Sequence, residues 1–377
     1  MFIHLAPQCE RIAAFALRGI ALLDTVPARG VYWADNQPKG INKMMKRIFP
    51  VLCAAILLAG CGAQAAVESS APEQTATAES TVESTATTEA AAEGTTLTFT
   101  DDLDREVTVP VQPQRVAVLL GSYTDVWCLA GGQDTLVAAA DDAWTDFDLG
   151  LGDDVANLGS LMEPNMEELI VAQPDLVIAS SNTTSNVELL PSLEELGVPV
   201  IYFGVNSFTD YLEMLDVCTQ ITGHTENYQT YGLDVQAQVD AAKAQNDGSA
   251  PTVLLLRSAS TSCKVKNSKG TVLGEILADL GAVNIADSDE SLLEDLSMER
   301  IIADDPDYIF VVFQGSDQEA AQKTLDAALT SNPAWDTLSA VQNGNFYIME
   351  KELYHLKPNA RWGEAYQKVA DILYPAA

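Results

Sequence analysis

Two stretches of this chain carry nearly the same text, "NMEELIVAQPDLVI" from Asn165 and "SMERIIADDPDYIF" from Ser297. Each holds a Met-Glu pair, an apolar run of helical period, a Pro-Asp step and a β-branched and aromatic run. Met166 and Met298, Glu167 and Glu299, and Pro174 and Pro306 stand at one constant offset. Proline cannot continue a helix, and the apolar period changes across it, so each copy predicts helix, turn and buried strand. Writing that unit twice confines the chain to two similar α/β halves, each with a glutamate in the same place.

The surrounding text fits this plan. "LTFTDDLDREVTVP" alternates on both sides of an acidic turn and reads as a hairpin. "RVAVLL" from Arg115 reads as a strand, with "TDVWCLAGG" behind it as a helix stopped by Gly131 and Gly132. A helix from Val187 to Leu196 stops at Gly197, and "VPVIYFG" is again a strand. Strands alternating with helices imply parallel units joined by right-handed crossovers. After Ser207 the spacing predicts a helix to about Thr222, then a second from Thr225 to about Asn246 with Tyr228, Tyr231, Val235 and Val239 on one face. "TVLLLR" opens a new β/α series that contains the second copy and closes with "NFYIM" and a helix from Trp362. The expected fold class is α/β: two similar lobes with parallel-rich sheets joined by one long α-helix. The lobes are set at 96–224 and 247–377, with the linking helix at 225–246. From Thr96 the chain runs about 280 residues, near the size at which single cores stop growing.

The N-terminal region is of another kind. "MMKRIFPVLCAAILLAGCG" has a basic start and an apolar run too short to span a bilayer, ending at Leu58-Ala59-Gly60-Cys61. That ending resembles the lipobox of bacterial lipoproteins, which implies a signal peptide over 44–61 and acylation of Cys61. Residues 1–43 do not fit in front of an export signal and read as an upstream extension, with Met44 or Met45 as the start. Residues 62–95, almost wholly Ala, Ser, Thr and Glu, lack the apolar content to offset the cost of ordering and read as a disordered tether.

A formal net charge of −34 argues against nucleic acid as a partner. Cys128, Cys218 and Cys263 show neither CxxC nor metal-ligand spacing, so no disulfide framework is expected. There is no Gly-rich phosphate loop, GxSxG elbow or HExxH helix, and an enzyme on this fold has nothing to support it. His224 and His355 are the only histidines after Thr96, too few for a bare zinc or manganese site.

From Leu97 to Pro375 the chain resembles the substrate-binding lipoproteins of ABC importers for iron-siderophores, haem and cobalamin. "TFTDDLDREVTVPVQPQRVAVL", "NLGSLMEPNMEELIVAQPDLVIAS", "NPAWDTLSAVQNGNFYIM" and "KPNARWGEAYQKVADILYP" carry the resemblance, in that order. Asp104 stands where the family's opening turn usually has Gly, and Asp tolerates a left-handed backbone. The resemblance implies an extracytoplasmic, membrane-anchored receptor with no resident cofactor. It would hand a metal chelate to a permease of two like subunits, docking through Glu167 and Glu299. A competing reading makes both glutamates ordinary first-turn residues favoured by the helix dipole. An anchored adhesion module with a degenerate cleft is a further alternative.

Ligands of open α/β sheets bind beyond the carboxyl ends of the strands. That selects the loops at Gly121–Thr124, Ser180–Asn186, Gly204–Phe208, Arg257–Lys266 and Gln314–Asp317. Arg105 and Arg115 are the only basic residues between Leu97 and Asn206, whereas Arg257, Lys264, Lys266 and Lys269, then Lys351, His355, Lys357 and Arg361, gather later. Basic residues collected at strand ends of so acidic a chain point to an anionic ligand. Ferric siderophore leads, with haem and cobalamin as alternatives. Arg257 is the first candidate, against a structural ion pair. Lys264 and Lys266 are ligand groups or a solvated loop. Tyr123, Trp144 and Tyr354 flank a ligand or pack inward; His355 ligates haem iron or is simply exposed; Arg361 contacts ligand or anchors the last helix.

Overall fold

The computed structural model describes residues 95–375 apart from 289, 290 and 295. The segments read as upstream extension (1–43) and signal peptide (44–61, with Cys61), and all but the last residue of the expected tether (62–95), lie outside the described residues. A hairpin, β1 (Thr96–Thr100) and β2 (Glu106–Pro110), opens the described chain. Asp104 sits in its turn at φ 57°, the left-handed backbone expected there.

The strands β3 (Val116–Val118), β4 (Leu136–Ala139), β5 (Ala156–Asn157), β6 (Leu176–Ser180) and β7 (Val200–Phe203) form a parallel sheet of order β5-β4-β3-β6-β7. The second sheet contains β8 (Thr252–Ser258), β9 (Cys263–Lys266), β10 (Val283–Asn284), β11 (Tyr308–Phe313) and β12 (Phe346–Met349). Its order is β10-β8-β11-β12, parallel throughout, with β9 added antiparallel along the carboxyl half of β8. The order β4-β3-β6-β7 therefore recurs as β10-β8-β11-β12, and the repeated phrase supplies the equivalent strands β6 and β11.

The two copies match in detail. The helix α3 (Met166–Ala172) is capped by the Asn165 side chain, and the helix Met298–Asp304 by that of Ser297. Both end in a left-handed residue, Gln173 at φ 48° and Asp305 at φ 38°. The Pro-Asp step then has a second use. Asp175 accepts the Gln114 and Arg115 N–H groups at 2.8 and 3.0 Å, and Asp307 accepts the Thr252 N–H at 2.8 Å. Each aspartate ties its own strand to the start of the first strand of its sheet.

The central strands of both sheets are buried on both faces, as parallel sheets with helical layers must be. In β8, Leu254 and Leu256 face an outer core, while Val253 and Leu255 join a larger one. That larger core also holds Val118 and Ile178 of the first sheet, so the halves share one apolar interior. The helices Phe208–Thr222, Asp234–Lys243 and Trp362–Leu373 supply its middle. Phe208 lies 5.9 Å from Trp362, ring centre to ring centre, and Trp362 is fully buried. Trp362→Ala is expected to cost about 3–5 kcal/mol of unfolding free energy, read by urea denaturation. A loss under about 1 kcal/mol would mean that the shared core does not hold the halves together.

Two segments depart from expectation. The helix over Val187–Leu196 divides at Leu189 into Thr184–Glu188 and Leu190–Glu195, because Pro191 has no N–H to carry the first ladder onward. The helix placed at 225–246 is shorter and irregular: a π-helical turn, Gln229–Leu233, leads into Asp234–Lys243. Gly232 lets the Tyr228 ring close on that turn, since a Cβ there would meet it at 3.1 Å. At the far end Asn246 turns the chain, donating to Leu280 O at 3.0 Å and accepting Gly248 N–H at 2.7 Å.

Candidate ligand cleft

The carboxyl ends of β3, β4, β6 and β11 open on a cleft of about 400 Å³. One wall comes from the N-terminal sheet and carries Ser122, Asp142, Asp146, Phe147, Met162 and Asn182. The other carries Gln314, Gly315 and, after β12, Lys351, His355 and Lys357. The helix α1 (Gly121–Leu129) starts directly at the end of β3. Gly121 is pressed onto the helix α2 (Asp142–Thr145): a Cβ would stand 2.6 Å from the Ala143 nitrogen. The tight approach seats Ser122 and Asp142 side by side in the cleft.

Two side chains, Lys351 and Asn359, make polar contacts across the halves at this place. Lys351 Nζ bonds Asp146 at 2.7 Å, and Asn359 Nδ2 donates to Ser122 O and Asp125 Oδ2, both at 2.8 Å. Asn359 holds φ 50° to do so. The "KPNARW" segment is therefore a clamp between the halves.

The electrostatics of the second wall are one-sided. Lys357 has no hydrogen bond or ion pair to a described residue; burial, then Arg257, pushes its ammonium down to about 8, against the opposing pull of Asp210. His355 is held down at about 4 by burial and by Arg257, Lys351 and Lys357, so its imidazole is neutral, and its buried Nδ1 has no hydrogen-bond partner among the described residues. Burial and Arg257 also lower Lys266. On the first wall, burial raises the Asp142 carboxyl to about 6.

The expected site residues divide. His355 lines the cleft, and three of the five selected loops reach it, those at Gly121, Ser180 and Gln314. Arg257 does not line it; it borders a water-sized hole of about 10 Å³ with Lys266 and Tyr354, and it makes no ion pair with a described residue. Its influence on the cleft is through His355 and Lys357. Lys264 faces Arg257 across the β8–β9 pair and is exposed. Tyr123 is a core residue whose hydroxyl donates to Phe203 O at 2.9 Å and accepts Val205 N–H at 3.1 Å. Tyr354 is likewise buried and donates to Ala365 O at 3.1 Å. Both phenols are satisfied by backbone, which is why they point inward. Arg361 pairs with Glu364 at 2.8 Å, the anchoring reading. Trp144 lies on α2 beside the cleft, while Phe147 takes the aromatic place on its wall.

Glu167 and Glu299 stand second in their helices, and both are exposed. Asp142 and Asp146 had no sequence signal, because β4 lies in the run "LVAAA", whose alanines give no strand period. Lys357 stands in the sequence as one more basic residue after "NFYIM", and nothing local shows that it faces the cleft without an ion pair to a described residue.

The comparisons with known proteins agree with this architecture. The periplasmic binding protein family matches residues 116–353, and the chain belongs to that family. It is a family of binding proteins rather than enzymes. The chain is 26% identical over 262 residues to the Fe(3+)-citrate-binding protein YfmC of Bacillus subtilis (strain 168), covering 67% of this chain and 78% of that one. It is 22% identical over 331 residues to the uncharacterized ABC transporter substrate-binding lipoprotein YvrC of the same organism, covering 86% and 95%. Among solved structures, the periplasmic catecholate-siderophore binding protein VctP from Vibrio cholerae superposes with a TM-score of 0.60 at 19% identity, over 74% of this chain and 99% of that one.

Proposed function

We propose that this chain is the extracytoplasmic receptor of an ABC importer and that its cleft captures a ferric chelate, a siderophore complex first among them. The observation that carries the reading is Lys357: a partly buried ammonium on the cleft wall with no ion pair or hydrogen bond to a described residue, beside a neutral His355. A site that holds a cation without a partner is complementary to an anion. A volume of about 400 Å³ lies within the usual range of small-molecule sites and suits a compact complex. The names of the relatives, for ferric citrate and for a catecholate siderophore, point the same way.

In this reading Cys61 is the lipid anchor, 62–95 the tether, and Glu167 and Glu299 meet a two-subunit permease. The lobes 96–224 and 247–377 close only slightly, because the core between them is shared. A second reading, haem, has one observation in its favour. Met162, 63% exposed, and the neutral His355 border the same cleft, and a thioether with an imidazole suits haem iron.

Tryptophan-fluorescence titration with ferric siderophores, ferric citrate, haem and cobalamin tests the proposal, with Trp144 beside the cleft as reporter. Saturable quenching by an anionic ferric complex is expected. Haem alone would move the assignment to the second reading, and no response to any of the four would overturn the receptor reading.

A further inference from the structure

The two walls of the cleft differ in charge sign. The N-terminal wall contributes Asp142 and Asp146 and no basic residue. Both arginines of that half are committed elsewhere: Arg105 to Asp101 and Val200 O, Arg115 to the carbonyls of Ala172 and Gln173. Asp146 is neutralised by Lys351 across the cleft. Asp142 is not neutralised. It is 9% exposed, forms no ion pair with a described residue, and its Oδ1 is buried without a hydrogen-bond partner. Its carboxylate is served only by backbone N–H groups, that of Gly121 at the start of α1 and its own.

A buried carboxyl oxygen left without a donor is disfavoured, and such groups in folded proteins are normally satisfied. A purely anionic complex would leave the Asp142 charge unpaired and add like-charge repulsion on this wall, while gaining from Lys357 on the other. A complex with oxyanions at one end and a donor at the other would be matched by both walls. Resting on the receptor reading, we infer that the chelate taken by this cleft is dipolar, with carboxylate or similar oxyanions toward Lys357 and a protonated amine arm toward Asp142. Asp142 is then a specificity-determining residue. Its role is to select among ferric complexes that Lys357 would otherwise accept alike.

A matched set of probes tests this on the full chain. Three ferric complexes are titrated at pH 7.4: that of citrate, that of the citrate monoamide of ethylenediamine with its amine free, and that of the same amide with the amine acetylated. The free-amine complex is expected to bind at least about tenfold more tightly than the acetylated one, the scale of one charge-assisted hydrogen bond. Asp142→Asn, which keeps an acceptor for the Gly121 N–H, is expected to bring that ratio to about one and to bind ferric citrate no more weakly than the unmodified chain does, since the like charge on this wall is gone. Equal binding of the free-amine and acetylated complexes by the unmodified chain would overturn the inference and leave the receptor reading standing. That comparison needs no variant to fold. A preference that persists in Asp142→Asn would overturn the assignment to this residue. Failure of all three complexes to bind would overturn the inference, and the receptor reading would then stand or fall by the titration with siderophores, haem and cobalamin.

Discussion

A chain carrying both Glu167→Ala and Glu299→Ala is expected to bind its chelate with unchanged affinity and to support no measurable uptake. The two carboxylates stand at the same position of equivalent helices, each capped by the residue two places before it. The strands that follow, β6 and β11, occupy equivalent places in their sheets. Neither glutamate lines the cleft. Paired exposed charges on two rigid halves suit a partner built of two like subunits, where they set orientation and on-rate more than affinity. If they served only the helix dipole, each alanine would cost about 0.3–1 kcal/mol of stability and transport would continue. Uptake of labelled iron by cells, with titration of the purified variant, separates the outcomes. Lost binding in the purified protein, or normal uptake in cells, would refute the docking assignment.

Lys357→Met is expected to weaken binding of an anionic ferric complex by about 10- to 100-fold, the value of one charged hydrogen bond at ~1.4 kcal/mol per decade. Methionine keeps the length and apolar stem of the side chain, so packing changes little. The pH dependence sharpens the test. Burial and Arg257 bring the Lys357 ammonium down to about 8 in the free protein, and only the charged form attracts the ligand. Affinity is therefore steady below that pH and falls as pH rises through about 8, by at most tenfold per unit. The variant should show no such fall between pH 7 and 9. For stability the sign is the reverse. The folded state disfavours a charge that the unfolded chain keeps up to its ordinary value of 10.5, so this penalty is full below about pH 8 and is relieved as pH rises toward 10.5. An unaltered affinity in Lys357→Met at pH 7 would move the anion site to the Arg257 side of the second sheet.

The repeated phrase made much of the fold legible. Helix, cap, Pro-Asp turn and buried strand are local in origin, set by side-chain volume, backbone freedom and short-range hydrogen bonds, so a dozen residues suffice to specify them. The loops at Gly121, Ser180 and Gln314 were found for the same reason, since strand ends follow from strand positions. The site was less legible where the outcome depends on contacts between distant segments. Arg257, directly after a strong strand, looked like the principal anion contact, yet Lys357 holds the cleft wall and Arg257 acts on it by charge. Tyr123 and Tyr354 are amphipathic, and whether a phenol meets a ligand or a backbone carbonyl depends on which carbonyl the fold delivers.

By itself, then, the sequence determined two matched α/β halves, an acidic first half and a basic collection in the second. Only the tertiary structure decided that the halves share one core, that Asn359 and Lys351 reach across to Ser122, Asp125 and Asp146, and that Lys357 and Asp142, on opposite walls, form no ion pair with a described residue. The reason is physical. Secondary structure answers to neighbours along the chain, whereas the charge state and pairing of a side chain answer to whatever groups the fold brings within a few ångströms, and those come from residues more than two hundred positions away.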